Sequence, residues 1–340
     1  MNQLSIFKKQ NKNECKKKQI NKKKKNFVSK FLIITIFLIL YILIVNQLFI
    51  HSDEFSDISL VSFNLKRLTS KENNKKKPKI VAITYSNQIY KRQMKLNRKS
   101  ALEIGEVDEH YSYRPNNIDD EFKEKNKEIL MKKKGNGYWL WKPYFINKTM
   151  IEKLNTGDYL IYTDARMIYM NSSYLLIDFL EKNNVSMWMN RLTLKESQWT
   201  KRDAFILIGV DRPFYYGSNQ YMAGIQIYKK SEYTIKFIQE WLHYCQDKRI
   251  ITDNENSLGK PNYKDFRENR HDQSALSLLI KKHGEANSGD PNMSENELKK
   301  RKPIIMPNLI CMYRSIHFHS YDDLKQKCQK IIEYQNHIFS

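Results

Sequence analysis

Several sequence signatures of common enzyme classes are missing from this chain. No Gly-x-Ser-x-Gly elbow occurs, so a serine-hydrolase triad of that type is set aside. Neither a Walker loop nor Gly-x-Gly-x-x-Gly is present, which removes the P-loop and the dinucleotide fingerprint. His-Glu-x-x-His is also absent, and with it the zincin helix. Cysteine is scarce, at four in 340 residues, with no Cys-x-x-Cys pair and no zinc-type Cys/His spacing. No internal repeat is visible.

Acidic residues are outnumbered: 37 Asp and Glu face 59 Lys and Arg, for a net charge of +22. The excess is concentrated at one end. Residues 1–30 hold eleven lysines and one glutamate. Next to an apolar segment, such a tail acts as a topology signal that also rests on anionic lipid. It contains no recognisable nucleic-acid module, so no nucleic-acid partner is expected.

The apolar segment is residues 31–50, uncharged across roughly 20 residues, enough helix to cross ~30 Å of hydrocarbon. A cleaved signal peptide has a shorter apolar core and a small-residue cleavage site. The expectation is therefore a single-pass signal anchor. Lysines before it and few after it predict a cytosolic N-terminus. Residues 51–78 are polar and read as a stem, and residues 79–340 as the luminal domain. Sequons at Asn147, Asn171, Asn184 and Asn292 decide little in a chain this rich in asparagine. Cys15 precedes the anchor. Cys245, Cys311 and Cys328 follow it, enough for one disulfide and one free thiol, with the pairing left open.

Within the luminal part, strand-like and helix-like stretches alternate. Residues 79–86 form a β-branched run with Tyr85 near its end, and 158–164 a second apolar strand ending on Asp164. Residues 185–189, 204–210 and 221–228 also read as strands. Helical stretches fall at 90–106, 119–133, 142–154, 173–182, 231–246 and 271–282. Pro143 suits a first helical turn, and Gly157 reads as the cap of that helix. This alternation predicts an α/β fold: a Rossmann-like, mixed but mainly parallel sheet flanked by helices, preceded by one transmembrane helix.

In such sheets ligands bind beyond the carboxyl ends of the strands. Asp164 at a strand end suits Mg²⁺ or Mn²⁺, which would also take diphosphate oxygens. No second carboxylate stands two residues on in Tyr162-Thr-Asp-Ala-Arg166, so other ligands are needed. His317 and His319 are the candidates, since alternate residues of an extended segment share a face. Trp139, Trp141 and Lys142 offer stacking faces and a point charge for phosphate, with core packing the competing role for the tryptophans. His271-Asp272-Gln273-Ser274 opens a helix, where Asp272 suits a sugar hydroxyl or a general base.

Three blocks carry a resemblance: Gly137–Pro143 (GYWLWKP), Gly157–Ala165 (GDYLIYTDA) and His271–Ser274 (HDQS). In this order they resemble the GT-A-type nucleotide-diphospho-sugar transferases, over about residues 79–283. The resemblance implies a GT-A-like fold, with the donor at the ends of the first strands beside Tyr85, Trp141 and Lys142. It further implies a metal and diphosphate at Asp164, and Asp272 with Gln273 against the donor sugar or reaction centre. Arg166 stands where the family pattern has glycine, placed either to pair with the diphosphate or to block the site.

The expected protein is a type II glycosyltransferase of the Golgi or endoplasmic reticulum membrane, moving a hexose from a nucleoside-diphosphate sugar to a glycan, glycoprotein or glycolipid. Two other readings compete: a catalytically inactive, sugar- or nucleotide-binding descendant, and a membrane adaptor acting through its basic tail.

Overall fold

The computed structural model describes residues 77–284, 310–312 and 320–339. The chain divides into two units, Met1–Lys76 and Lys77–Ser340. The expected anchor, at residues 31–50, lies outside the described residues. Among the described residues no helix is long and apolar enough to cross a membrane.

A five-stranded sheet forms the centre. Its strands are β1 (Ile80–Tyr85), β2 (Glu109–Tyr113), β3 (Tyr159–Thr163), β5 (Met187–Lys195) and β6 (Asn219–Lys229), in the order β2-β1-β3-β6-β5. β1 pairs in parallel with β2 and β3, and β6 runs antiparallel to both β3 and β5. Four of the five strands therefore point one way. β4 (Met167–Tyr169) and β7 (Ile310–Met312) make a separate antiparallel pair.

Helices cover both faces, so the inner parallel strands β1 and β3 are buried throughout. All six β1 residues and all five β3 residues are buried. Successive strand residues point to opposite faces. Accordingly Val81, Ile83, Leu160 and Tyr162 join one apolar cluster, and Ile80, Ala82, Tyr159 and Ile161 the other. The larger cluster is closed by helices α2 (Trp141–Glu152), α4 (Arg202–Ile208), α5 (Glu232–Cys245) and α6 (Asp272–Lys282). The smaller is closed by α1 (Lys91–Glu103) and α3 (Tyr174–Lys182).

Local chemistry explains the main boundaries. Ser231 Oγ accepts from the Thr234 N–H, and Thr234 Oγ1 accepts from the Ser231 N–H at 2.9 Å, so the start of α5 is capped reciprocally. Pro143 sits in the first turn of α2, where its missing N–H leaves no bond unmade. Gly284, at φ +73°, follows α6.

Residues 204–210, expected as a strand, are helical. Asp203, Ala204, Phe205 and Ile208 bury one face of α4, and Gly209 in the left-handed conformation ends it. A short apolar run fits a buried strand or a buried helix equally well, and here packing decides. Gly157 does not cap α2, whose last residue is Glu152. At φ +91° it turns the chain into β3, donating its N–H to Lys230 O at 2.9 Å. The helix expected over 119–133 is two short ones, Asp120–Lys125 and Lys127–Leu130.

Beyond the sheet, helix α7 (Tyr321–Phe339) is joined to β7 by a disulfide between Cys311 and Cys328. Cys311, Leu324 and Cys328 pack with Ile168 of β4. Cys245 is the buried free thiol.

Candidate active site at the strand ends

The three sequence blocks fold into one place, at the carboxyl ends of β1 and β3. Asp164 follows β3 directly, and its N–H donates to Gly224 O of β6 at 2.9 Å. The turn is held from below by Asn97 of α1, whose Nδ2 donates to Thr163 Oγ1 at 2.8 Å and Met167 O at 2.9 Å. His110 of β2 fixes Asn97 in turn, its Nε2 lying 3.0 Å from Asn97 Oδ1. Burial holds this imidazole well below the usual histidine range, at about 3. Gly224 leaves little room above Asp164: a Cβ there would stand 3.2 Å from Asp164 Oδ2 and 3.0 Å from Met167 Cε.

Lys142, in the first turn of α2, reaches into this turn. Its Nζ lies 3.0 Å from Asp272 Oδ2 and 3.5 Å from Asp164 Oδ1. The side chains of Lys142 and Asp272 are 4% and 5% exposed, whereas Asp164 is 22% exposed. Tyr162 donates its hydroxyl to Asp164 Oδ1 at 2.7 Å, and its ring lies 5.2 Å from the ammonium. The group holds one ammonium and two carboxylates. Burial pushes Asp272 up to about 6 against the pull of Lys142, with Asp164 adding to the rise. Burial lowers Lys142, but the two carboxylates outweigh it and hold the ammonium above its ordinary value. Burial thus raises the acid and the two carboxylates raise the base, so both move the same way for different reasons.

The lysine is brought in by a left-handed turn. Gly135, Asn136, Gly137, Tyr138 and Trp139 all have positive φ, between 51° and 95°. Three of the five are not glycine, a conformation that costs L-residues roughly 1–2 kcal/mol each. Packing holds the turn. Trp141 Nε1 donates to Gly135 O at 2.9 Å, and Asn136 Nδ2 donates to the Tyr85 hydroxyl. The Tyr85 ring stacks on Trp141 with centroids 3.8 Å apart, and burial raises its hydroxyl pKa. Trp139 stacks on His271 at 5.3 Å, and Gly135 presses on its indole so closely that a Cβ would lie 2.3 Å away.

His271 is itself at φ +54° and lies just before α6. Its Nδ1 donates to Ile251 O at 2.8 Å, and burial lowers its pKa. Asp272 follows, its carbonyl accepting from Trp241 Nε1 at 3.0 Å. Gln273 is half-buried; its Nε2 donates to Gln220 Oε1 at 2.8 Å, and its Oε1 accepts from the Ala223 N–H at 3.2 Å.

Tyr85, Trp141, Lys142, Asp164, Asp272 and Gln273 are thus linked through direct contacts or adjacent positions. Lys142 directs its charge at the two aspartates, not at open solvent. Arg166 places its guanidinium 5.0 Å from the centroid of the Tyr90 ring. His317 and His319 lie outside the described residues. Tyr162 was not anticipated, although its place two residues before Asp164 puts both on one side of the strand.

A divalent cation was expected at Asp164. Asp164 and Asp272 already share an ammonium, and among the described residues no group of three or more His, Cys, Asp or Glu side chains is arranged to hold a metal. The described residues alone do not compose a metal site.

No protein-family model matches the chain. No curated protein matches it. Among solved structures, mouse xyloside xylosyltransferase 1 in its apo form matches at 11% identity over 61% of this chain and 83% of its own, with a TM-score of 0.33. The bifunctional glycosyltransferase WbbM matches at 9% over 77% of this chain, which spans half of that one (50%), with a TM-score of 0.39. The galactosyltransferase LgtC, in complex with donor and acceptor sugar analogs, matches at 12% over 75% of this chain and 95% of its own, with a TM-score of 0.36. At identities and scores this low, the likeness carries no weight for the activity of this chain.

Proposed function

We propose that the chain is a glycosyltransferase, moving a hexose from a nucleoside-diphosphate sugar to a glycan, glycoprotein or glycolipid acceptor. The observation that carries this reading is the convergence of Lys142, Asp164 and Asp272 at the carboxyl ends of parallel strands. Three separated sequence blocks meet there, in the position where open α/β sheets bind ligands.

Each residue has a role in this reading. Asp164, the most exposed of the three charged groups, meets the donor. Lys142 is the internal counter-ion that keeps both aspartates in place. Arg166, resting on Tyr90, supplies the positive charge for the diphosphate, and the stacked Tyr85 and Trp141 form the wall behind it. Asp272 and Gln273 face the transferring sugar. We place the catalytic domain in the lumen of the Golgi or endoplasmic reticulum, behind a type II anchor at residues 31–50. The Cys311–Cys328 disulfide suits that oxidising compartment.

Donor turnover tests the proposal. The full chain in detergent is incubated with a panel of UDP- and GDP-sugars, with and without Mn²⁺, beside Asp164→Ala. Release of nucleoside diphosphate that the substitution abolishes is the expected result. Tight binding without release identifies an inactive descendant, and no binding to any donor overturns the proposal.

A further inference from the structure

An ion pair remains that none of these roles uses. Glu196 and Lys281 have side chains with no exposure at all, and they meet at 2.6 Å. Such a pair adds little net stability by itself, because desolvation offsets the attraction. Its surroundings show what it does. Glu196 Oε1 accepts from Lys281 and from Ser277, and Oε2 accepts from Thr200 Oγ1 at 2.5 Å and Gln220 Nε2 at 3.1 Å.

The network has a direction. Gln273, Ser277 and Lys281 are four residues apart on α6 and line one stripe of the helix. Lys281 and Ser277 hold Glu196 at the buried end, while Gln273 stands half-buried at the other, next to Asp272. A carboxylate only accepts hydrogen bonds, so Gln220 must turn its NH₂ toward Glu196. Its Oε1 then faces Gln273, which must answer with Nε2. Gln273 Oε1 is left to receive the Ala223 N–H. One buried carboxylate, with the Trp199 carbonyl that also accepts from Gln220 Nε2 at 3.2 Å, thereby sets the orientation of Gln220, and Gln220 together with the Ala223 N–H sets that of Gln273.

We infer that Glu196, neutralised by Lys281, is a positioning residue for the active site. Through Gln220, and beside the Ala223 N–H, it fixes which atoms of the Gln273 amide are held by protein and which N–H and lone pair remain for the donor. The inference rests on the glycosyltransferase reading, and on Gln273 facing the donor.

The test uses the full chain in detergent and the donor identified above. Gln220→Met keeps the Glu196–Lys281 pair but removes the amide between it and Gln273. The double variant Glu196→Gln with Lys281→Met removes both charges together and leaves an amide at 196 that binds Gln220 either way round, so that only the Trp199 carbonyl still selects the Gln220 NH₂. Both are expected to lower kcat for donor hydrolysis, toward the order of 10²-fold that small misplacements in a site cost. Donor KM and melting temperature should stay near wild type. Adding Gln273→Met to Gln220→Met should cost little more, since residues acting in one chain are not additive. Wild-type kcat in both folded variants overturns the inference while leaving the function intact. So does a kcat loss that tracks only a loss of folded protein. A wild-type chain that neither binds nor turns over any donor overturns both.

Discussion

Lys142→Met is the most informative single change, because it leaves one buried and one partly exposed carboxylate without their counter-ion. Methionine matches the stem of lysine in length, so the void is small and the loss is electrostatic. Asp272 bears most of it, being 5% exposed and 3.0 Å from the ammonium, whereas Asp164 is 22% exposed and keeps the Tyr162 hydroxyl. Removing one partner of a buried pair costs about 3–5 kcal/mol. For a domain of this size each kcal/mol moves the midpoint about 2–4 °C, so the expected fall is about 6–20 °C. Thermal and denaturant melts of the full chain in detergent give the value. The control is Lys142→Met with Asp272→Asn, which removes the orphaned charge and should recover a coupling of up to about 3 kcal/mol. A single variant that melts with the wild type, or a double variant no more stable than the single, refutes the counter-ion role.

Three further outcomes follow from the geometry. Asp272, raised from 3.8 to about 6, holds its proton more tightly in the folded chain than in the unfolded one. Its contribution to stability should therefore fall as pH rises from about 4 through about 6, and Asp272→Asn should flatten that part of a stability–pH curve. Gly137→Ala and Gly157→Ala separate crowding from backbone strain, since a Cβ at Gly137 meets Leu130 Cα at 2.8 Å and one at Gly157 meets nothing within 4 Å. The second should cost about 1–2 kcal/mol and the first about 2–5 kcal/mol, and equal losses in denaturant melts would contradict this. The Cys311–Cys328 bridge closes a 17-residue separation, a restraint of about 3 kcal/mol. Cys328→Ala should speed amide exchange in α7 and leave β1 and β3 protected; uniform deprotection would show the bridge stabilises the whole domain instead.

Some of this was legible in the sequence. β1 and β3 are short β-branched or apolar runs bounded by polar residues, and both were found. Pro143 marked one helix start, and residues 231–246 read as another helix from their apolar spacing. β2, by contrast, reads Glu-His-Tyr-Ser-Tyr and lies at the sheet edge, where only His110 is buried, so it carries no apolar signal. The reversal of β6 cannot be read from composition, because direction depends on the path between strands. Asp164, Lys142 and Asp272 were each picked out as chemistry-bearing, yet Lys142 was expected at a phosphate. Its distance to two aspartates depends on the left-handed turn, which no local propensity favours. Glu196 and Lys281 stand in stretches that look like ordinary charged surface. The packing of α6 on β6, with Glu196 held beside β6 by its N–H bond to Ser218 O at 2.8 Å, brings them together.

That turn also has a consequence concerning chirality. Gly135 and Gly137 have the backbone angles natural to D-residues. An L-residue's Cβ at 137 would stand 2.8 Å from Leu130 Cα, whereas a D-residue's would project from the other side of the backbone. What the position demands is handedness as much as smallness. Among the encoded amino acids only glycine is achiral, so mutation offers this site almost no acceptable alternative. Asn136 between them tolerates the same angles, and its side chain ties the motif to Tyr85 of β1.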